Sequence, residues 1–268
     1  MSSQMSIHEE IKEQQQKTKD MSLKGKLSYF WYYYKVHTIV TVMVIGFFIM
    51  FIYQYVTNKD YAFYAAVINA DINYIENNQW GDEFAEYAGV DTEKYQVYLD
   101  TSIALSDNDS TQYSISNTEK LLAMLQAGAI DVIVADTETF EKYAQNGYFM
   151  NPEEVLPPDI LAQYEDCLYY TDAATFDNGD DDTFYTESEL ENPADYVINH
   201  RDPSTMENPV AVGICLPEDT KLMEIGCYDY LEDLNISYQG YPSDVVLGIP
   251  LSSTKVDTVG KFLSFLKE

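Results

Sequence analysis

Polarity changes abruptly along this chain. The first 27 residues are polar and rich in Glu, Gln and Lys, and Tyr29 to Tyr34 are all aromatic. The next 23, Val36 to Asn58, carry no formal charge. At about 1.5 Å per residue a helix of that length is roughly 34 Å long, enough for a hydrocarbon core of about 30 Å. Only Thr41 and Gly46 interrupt the apolar residues between Ile39 and Tyr53, so the run lacks the polar face of a surface helix packed on a core. It begins 35 residues in and is followed by QYVTNKDY rather than a small-x-small cleavage site, which predicts a retained span and not a signal peptide.

Beyond Lys59 the pattern becomes short apolar runs separated by polar turns. Tyr61 to Ala70, YAFYAAVINA, reads as a strand buried on both faces, as in a parallel sheet. Trp80 to Tyr87 predicts a short helix closed by Gly89, and Tyr95 to Leu99 a second strand. Ser116 and Glu119 have capping-box spacing before Leu121, Leu122, Met124 and Leu125, and Gly128 stops that helix. Ala129 to Ala135 predicts a strand. Asp136 or Thr137 then caps a helix with Phe140, Tyr143 and Ala144 on one face, ended by Asn146-Gly147. Pro209 to Leu216 and Asp244 to Pro250 predict strands, and Asp219 to Leu234 a helix. The last helix carries Val256, Val259, Phe262, Leu263 and Leu266 at helical spacing. Helix, strand and helix with short turns predict an α/β domain on a parallel sheet.

Charge divides the chain. Through Lys59 there are seven lysines against Glu9, Glu10, Glu13 and Asp20, whereas the remaining residues hold 8 basic and 41 acidic side chains of a chain total of −30. Lys12, Lys17, Lys19, Lys24, Lys26 and Lys35 precede the span, whereas after it comes Lys59 and then no basic residue until Lys94; by the positive-inside rule this asymmetry predicts a cytoplasmic N-terminus and an external domain. The expected organisation is a polar tail with an aromatic belt over 1–35, a transmembrane helix over 36–58 and an extracellular α/β domain over 59–268. So acidic a surface repels nucleic acid and anionic lipid, so the expected partners are the membrane that the span crosses and no nucleic acid. Cys167, Cys215 and Cys227 are too few for a disulfide-built scaffold. One bridge is possible, with Cys215 and Cys227 as an open pairing. The absence of a cysteine near the N-terminus predicts that the chain is not a lipoprotein.

The stretch Leu121 to Pro157, LLAMLQAGAIDVIVADTETFEKYAQNGYFMNPEEVLP, carries a resemblance. A helix, an AG-x-hydrophobic-Asp-hydrophobic strand, a helix and a Gly-aromatic turn recur in extracellular solute-binding proteins of the type II periplasmic-binding fold. Ala127, Gly128, Asp131, Val132, Phe140, Gly147 and Phe149 are the matching positions. VAVGICLPEDT, VVLGIPLSS and the closing KVDTVGKFLSFLKE are similar too. The resemblance implies a membrane-anchored, solute-binding-like domain and capture of a solute for an ABC transporter permease or another surface protein. Family members are usually lipoproteins with two full lobes. This chain has a span instead, and its shorter domain implies a reduced second lobe.

Searches for chemistry return little. P-loop, GxGxxG and HExxH patterns are absent, and no His/Cys group has zinc spacing. The domain's one histidine, His200, lies beside its one arginine, Arg201, in NHRDPS, which reads as a surface pair. Around DNGDDD an EF-hand with Gly179 at its sixth position needs acids where Ala174 and Phe176 stand, so 172–191 reads as a solvated acidic loop. No catalysis, cofactor or metal is expected. In open α/β sheets ligands sit off the carboxyl ends of strands, where strand order switches. Those ends supply Asn69, Asp71, Thr101, Ser102, Asp136 and Thr137 as candidate ligand-binding residues, and two acids there favour a neutral polyol or a cation. The expected function is noncatalytic ligand binding. The alternative is a structural or protein-interaction module without a small-molecule ligand.

Overall fold

The computed structural model describes residues 21–71, 79–105, 112–173 and 198–268, together with Lys12 and Gln16. It divides into two compact units, Met1–Lys59 and Asp60–Glu268.

In the first unit one helix, α1 (Leu23–Thr57), runs 35 residues. Ser22 caps it, its hydroxyl accepting the Gly25 N–H at 3.3 Å. None of its residues is buried. It is long and apolar enough to cross a membrane, consistent with a single-pass membrane protein. The helix starts thirteen residues before the uncharged run, so Leu23 to Lys26, read as tail from their polarity, are helical. Charge limits which part of a helix can enter lipid but not where the helix begins. The aromatic collar packs along it, with Tyr29 and Tyr33 rings 4.5 Å apart.

The second unit is a mixed α/β domain. Its elements are β1 (Asp60–Val67), α2 (Gln79–Ala88), β2 (Tyr95–Asp100), α3 (Gln112–Gln126), β3 (Val132–Asp136) and α4 (Thr137–Gln145). Short helices α5 (Pro152–Val155) and α6 (Pro158–Leu161) lead to β4 (Leu168–Asp172) and β5 (Pro209–Cys215). Then come α7 (Lys221–Glu224), α8 (Tyr230–Asp233), the hairpin β6 (Ser237–Tyr238) and β7 (Tyr241–Pro242), β8 (Val245–Gly248) and α9 (Val256–Leu266). Six strands form one sheet in the order β2-β1-β3-β8-β5-β4.

Alternation along β1 builds two cores. Phe63, Ala65 and Val67 join Phe84 of α2 and Phe262 of α9 on one face. Tyr64, Ala66 and Ile68 join Leu121 of α3 and Phe140 of α4 on the other. The sheet is thus buried on both sides, which is why its strands read as continuous apolar runs. On the second face the Phe140 and Phe149 rings stack 4.3 Å apart over Gly248, where a Cβ would come within 2.6 Å of Phe140.

The parallel-sheet expectation holds for half of the sheet. β1 pairs parallel with β2 and β3, but β8 runs antiparallel to β3 and β5, and β4 antiparallel to β5. A strand covered on both faces is apolar whichever way its neighbours run, so the pattern does not encode direction. Among the described residues only β6 and β7 lie outside this sheet, so no second lobe is seen there. Ser116 lies inside α3, so the capping box does not operate at that position. The helix read over Asp219 to Leu234 is two four-residue pieces, α7 and α8, broken at Gly226 (φ +77°). β4 and the hairpin were not foreseen. The hairpin turns through Gln239 (φ 49°) and Gly240 (φ 86°), the two positive φ values of a tight hairpin turn.

Candidate functional site

Strand order reverses at β1. The chain leaves β1 through α2 to the edge strand β2, then returns through α3 on the opposite face to β3. The carboxyl ends of β1 and β3 therefore mark the switch point, where α/β sheets hold ligands.

Asn69 stands just past β1, in the left-handed region at φ 58°. Its Nδ2 donates to Asp136 Oδ2 at 3.1 Å and to Thr139 Oγ1 at 3.2 Å, and its Oδ1 accepts the Leu105 N–H at 2.7 Å. One side chain thereby ties together the segments that follow β1, β2 and β3. Asp136 caps α4, with Oδ1 accepting the Thr139 N–H at 3.0 Å and Oδ2 the Thr139 hydroxyl at 2.8 Å. Thr137 faces β8: its hydroxyl accepts the Asp244 N–H at 2.8 Å and lies 3.2 Å from the Asp244 carbonyl. Asp71 is exposed, and its N–H donates to the Cys227 carbonyl at 2.8 Å.

Thr101 and Ser102 adjoin a separate cluster. Asp100 is 2% exposed and accepts hydrogen bonds from the Tyr64 hydroxyl, from Ser102 and from Lys120 Nζ at 3.0 Å. Burial pushes this carboxyl upward, but the bonds from Ser102, Tyr64 and Lys120 outweigh it and hold the carboxyl below its usual value. The structure thus joins Asn69 to Asp136 directly, with Thr137 next to it at the start of α4, while Asp71 meets the Cys227 carbonyl and Thr101 and Ser102 adjoin the Asp100 cluster.

Residues 227–231 lie over the switch point, a feature that sequence reasoning missed. Tyr228 is 1% exposed, and its hydroxyl lies 2.7 Å from the Ile68 carbonyl and 3.2 Å from that of Val134. It occupies the place on the first face where β1 and β3 end. Burial raises the Tyr230 hydroxyl, and the Asp136 charge raises it further, so α8 adjoins the same carboxylate. No sequence motif marks this. The one cue is a tyrosine pair, Tyr228 and Tyr230, just after a glycine that ends α7.

His200 corrects the surface-pair expectation. It is 8% exposed, with its ring stacked on Tyr169 at 4.5 Å. Its Nδ1 lies 2.7 Å from the Tyr170 carbonyl and 3.8 Å from Glu141 Oε2, and its buried Nε2 has no hydrogen-bond partner among the described residues. Glu141 accepts from the Tyr169 hydroxyl at 2.8 Å and the Thr171 hydroxyl at 2.9 Å. Arg201 instead pairs with Asp244, Nε to Oδ2 at 2.9 Å with a second bond beside it. Sequence reading failed here because α4, β4 and residue 200 are distant along the chain.

Burial raises the Glu141 carboxyl; His200 and the hydroxyl donors offset only part of that. A folded-state value above the unfolded one, about 4.3 for glutamate, means that the native state holds its proton more tightly. Glu141 then contributes stability below the unfolded value, and that contribution is lost as pH rises through the raised one. Glu141→Gln keeps the shape without the charge. Its stability relative to wild type should improve progressively with pH above about 4.3, read by urea denaturation across pH. An unchanged difference between the two proteins would contradict this.

Among the described residues no group of three or more His, Cys, Asp or Glu is placed to hold a metal ion. The stretch 174–197, which carries most of the acidic loop, lies outside the described residues. Asp172, at its start, accepts the N–H groups of Glu207 and Asn208 at 2.8 and 2.9 Å. The polar groups described at the switch point thus act as clamps between loops. Comparison with known proteins leaves the chain unplaced: no family model, no curated protein and no solved structure matches it.

Proposed function

We propose that this chain is a single-pass membrane protein whose acidic α/β domain is displayed outside the cell and acts, without catalysis, as a protein-interaction module. The observation that carries this reading is the closed switch point. Asn69, Asp136 and Thr139 spend their polar atoms on one another, and Tyr228 takes up the ends of β1 and β3. A ligand would have to replace those bonds, and each buried polar group left unmatched costs about 1–3 kcal/mol. The external location is supported by Lys12, Lys17, Lys19, Lys24, Lys26 and Lys35 ahead of the uncharged run, against Lys59 and then no basic residue until Lys94 after it. Such an acidic surface favours a partner with a basic face.

Capture of a solute for an ABC transporter permease is the second reading, supported by the β2-β1-β3 order with helices on both faces. On that reading the domain is a reduced solute-binding fold of the periplasmic-binding type, with α3, β3 and α4 as the resembling segment. A thermal-shift screen of the purified chain against sugars, peptides, polyamines and calcium separates the two. A ligand held by the folded state at 100 times its Kd adds about 2.7 kcal/mol and raises Tm. The interaction reading expects no shift that depends on Asn69, since cations drawn to the acidic surface act away from the switch point. A reproducible rise that Asn69→Ala abolishes would overturn it in favour of solute capture.

A further inference from the structure

α1 is longer than its uncharged run requires. Leu23 to Lys35 add thirteen helical residues ahead of Val36, about 20 Å at 1.5 Å each. Six consecutive aromatics, Tyr29 to Tyr34, occupy about 9 Å of that extension and circle the helix completely. Phe30 to Tyr34 are all exposed. Their rings meet one another along the helix, Tyr29 with Tyr33 at 4.5 Å and Phe30 with Tyr34 at 5.4 Å. The polar band of a bilayer is roughly 5–8 Å deep on each side of the hydrocarbon, and tyrosine and tryptophan collect there. The collar has a comparable depth, and lysines stand on both of its borders. Lys35 follows Tyr34 directly, and Lys24 and Lys26 precede Tyr29 by five and three residues. Lys24 and Lys35 are eleven residues apart, about three turns, so they share one line of the helix, and Lys26 lies near the opposite side. All three are exposed. Met21 to Lys59 contains no Asp or Glu. At the other end of the uncharged run Lys59 is followed at once by Asp60, so the basic and aromatic surface belongs to one end of the helix.

We propose that Leu23–Lys35 is a docking surface for anionic phospholipid, with Lys24, Lys26 and Lys35 holding the headgroups around the aromatic collar. The proposal rests on α1 spanning the membrane, as argued above, and not on the side to which the α/β domain is exposed. The chemistry selects the charge class of the lipid. A zwitterionic headgroup carries its own ammonium beside its phosphate, so lysines gain little from it. An anionic headgroup leaves its negative charge to the protein, and each lysine near such a surface is attracted to it. Lys35 sits where the hydrocarbon begins, and its long stem lets the ammonium reach the phosphate level. Lys24 and Lys26 reach that level from the water side. The rings between them fix the depth of the helix, because tyrosine hydroxyls and the Trp31 indole N–H stay in the polar band. The acids of the α/β domain repel anionic lipid, so the attraction is a property of this segment and not of the chain's net charge.

Trp31 stands inside the collar, and the chain's other tryptophan, Trp80, lies in the α/β domain, so Trp80→Phe leaves Trp31 as the sole reporter. The full chain with this substitution is reconstituted into phosphatidylcholine vesicles. These contain equal fractions of a lipid brominated high on its acyl chain, either phosphatidylcholine or phosphatidylglycerol. Bromine quenches a tryptophan that it touches, so the two quenching curves give the relative occupancy of the helix by each lipid. The expected result is a preference of roughly threefold or more for phosphatidylglycerol, reduced as salt is raised. Replacing Lys24, Lys26 and Lys35 together with glutamine should bring the ratio close to one, whereas replacing them with arginine should preserve it. Equal quenching by the two brominated lipids, or a preference that the glutamine variant retains, would overturn the proposal and leave the span standing. Quenching by neither lipid would place Trp31 outside the bilayer and overturn the span together with the proposal.

Discussion

Replacing Phe262 with alanine should destabilise the α/β domain by about 3–5 kcal/mol, the usual range for a fully buried phenylalanine. Phe262 is 0% exposed. Its ring centre lies 5.0 Å from that of Phe63 in β1 and 5.1 Å from that of Phe84 in α2. Truncation removes one ring from a cluster that joins three elements across the first face. The surrounding rings are rigid and cannot close the space, so the cavity cost adds to the lost burial. Urea denaturation of the full chain, followed by tyrosine and Trp80 fluorescence, measures the loss. Trp80 suits this role because its ring meets Phe265 of the same helix at 6.4 Å. A loss below about 1 kcal/mol would mean that α9 is not docked as described.

Asn69→Asp should cost about 2–4 kcal/mol near neutral pH, and much less in acid. The substitution keeps nearly the same shape, and aspartate also tolerates the left-handed backbone at this position. What changes is the amide nitrogen that now donates to Asp136 and Thr139. In its place stands a second carboxylate beside Asp136, and like charges disfavour ionisation. The new carboxyl's folded-state value is then raised above the unfolded one. The penalty is therefore absent below the unfolded value, about 3.9, and grows as pH rises through the raised one. Denaturation at pH 4 and pH 7 separates this charge effect from simple loss of packing. Equal losses at both pH values would show that Asn69 is not the clamp between β1 and β3.

Particular residues show how far the sequence was legible. The uncharged run after Lys35 was visible because a helix that can cross lipid must be long and apolar all round, and the apolar runs of β1, β3, β5 and β8 because a strand covered on both faces demands apolar side chains. Asp136 was legible as a helix cap because capping is local. The direction of β8 was not, since its apolar run fits either orientation. β4 was missed because LYYTD sits between a proline-bearing turn and an acidic stretch, and its pairing with β5 is made by residues forty positions away. Of the candidate site, the strand ends were correctly placed along the chain, but hydrogen bonding between loops is non-local. Nothing near Asn69 announces that its amide is committed to Asp136, and nothing near Tyr228 announces Ile68 and Val134. His200 failed for the same reason: a polar local sequence concealed a ring held against Tyr169.

The central claim is that the acidic domain stands outside the cell and meets a protein partner there. A membrane-impermeant, amine-reactive cross-linker applied to intact cells tests both parts at once, because Lys94, Lys142 and Lys261 are exposed on the α/β domain. The account predicts modification of these lysines and a discrete adduct heavier than the monomer, weakened when salt is raised during the reaction. Lysines that react only after permeabilisation, or that react without any adduct forming, would contradict it.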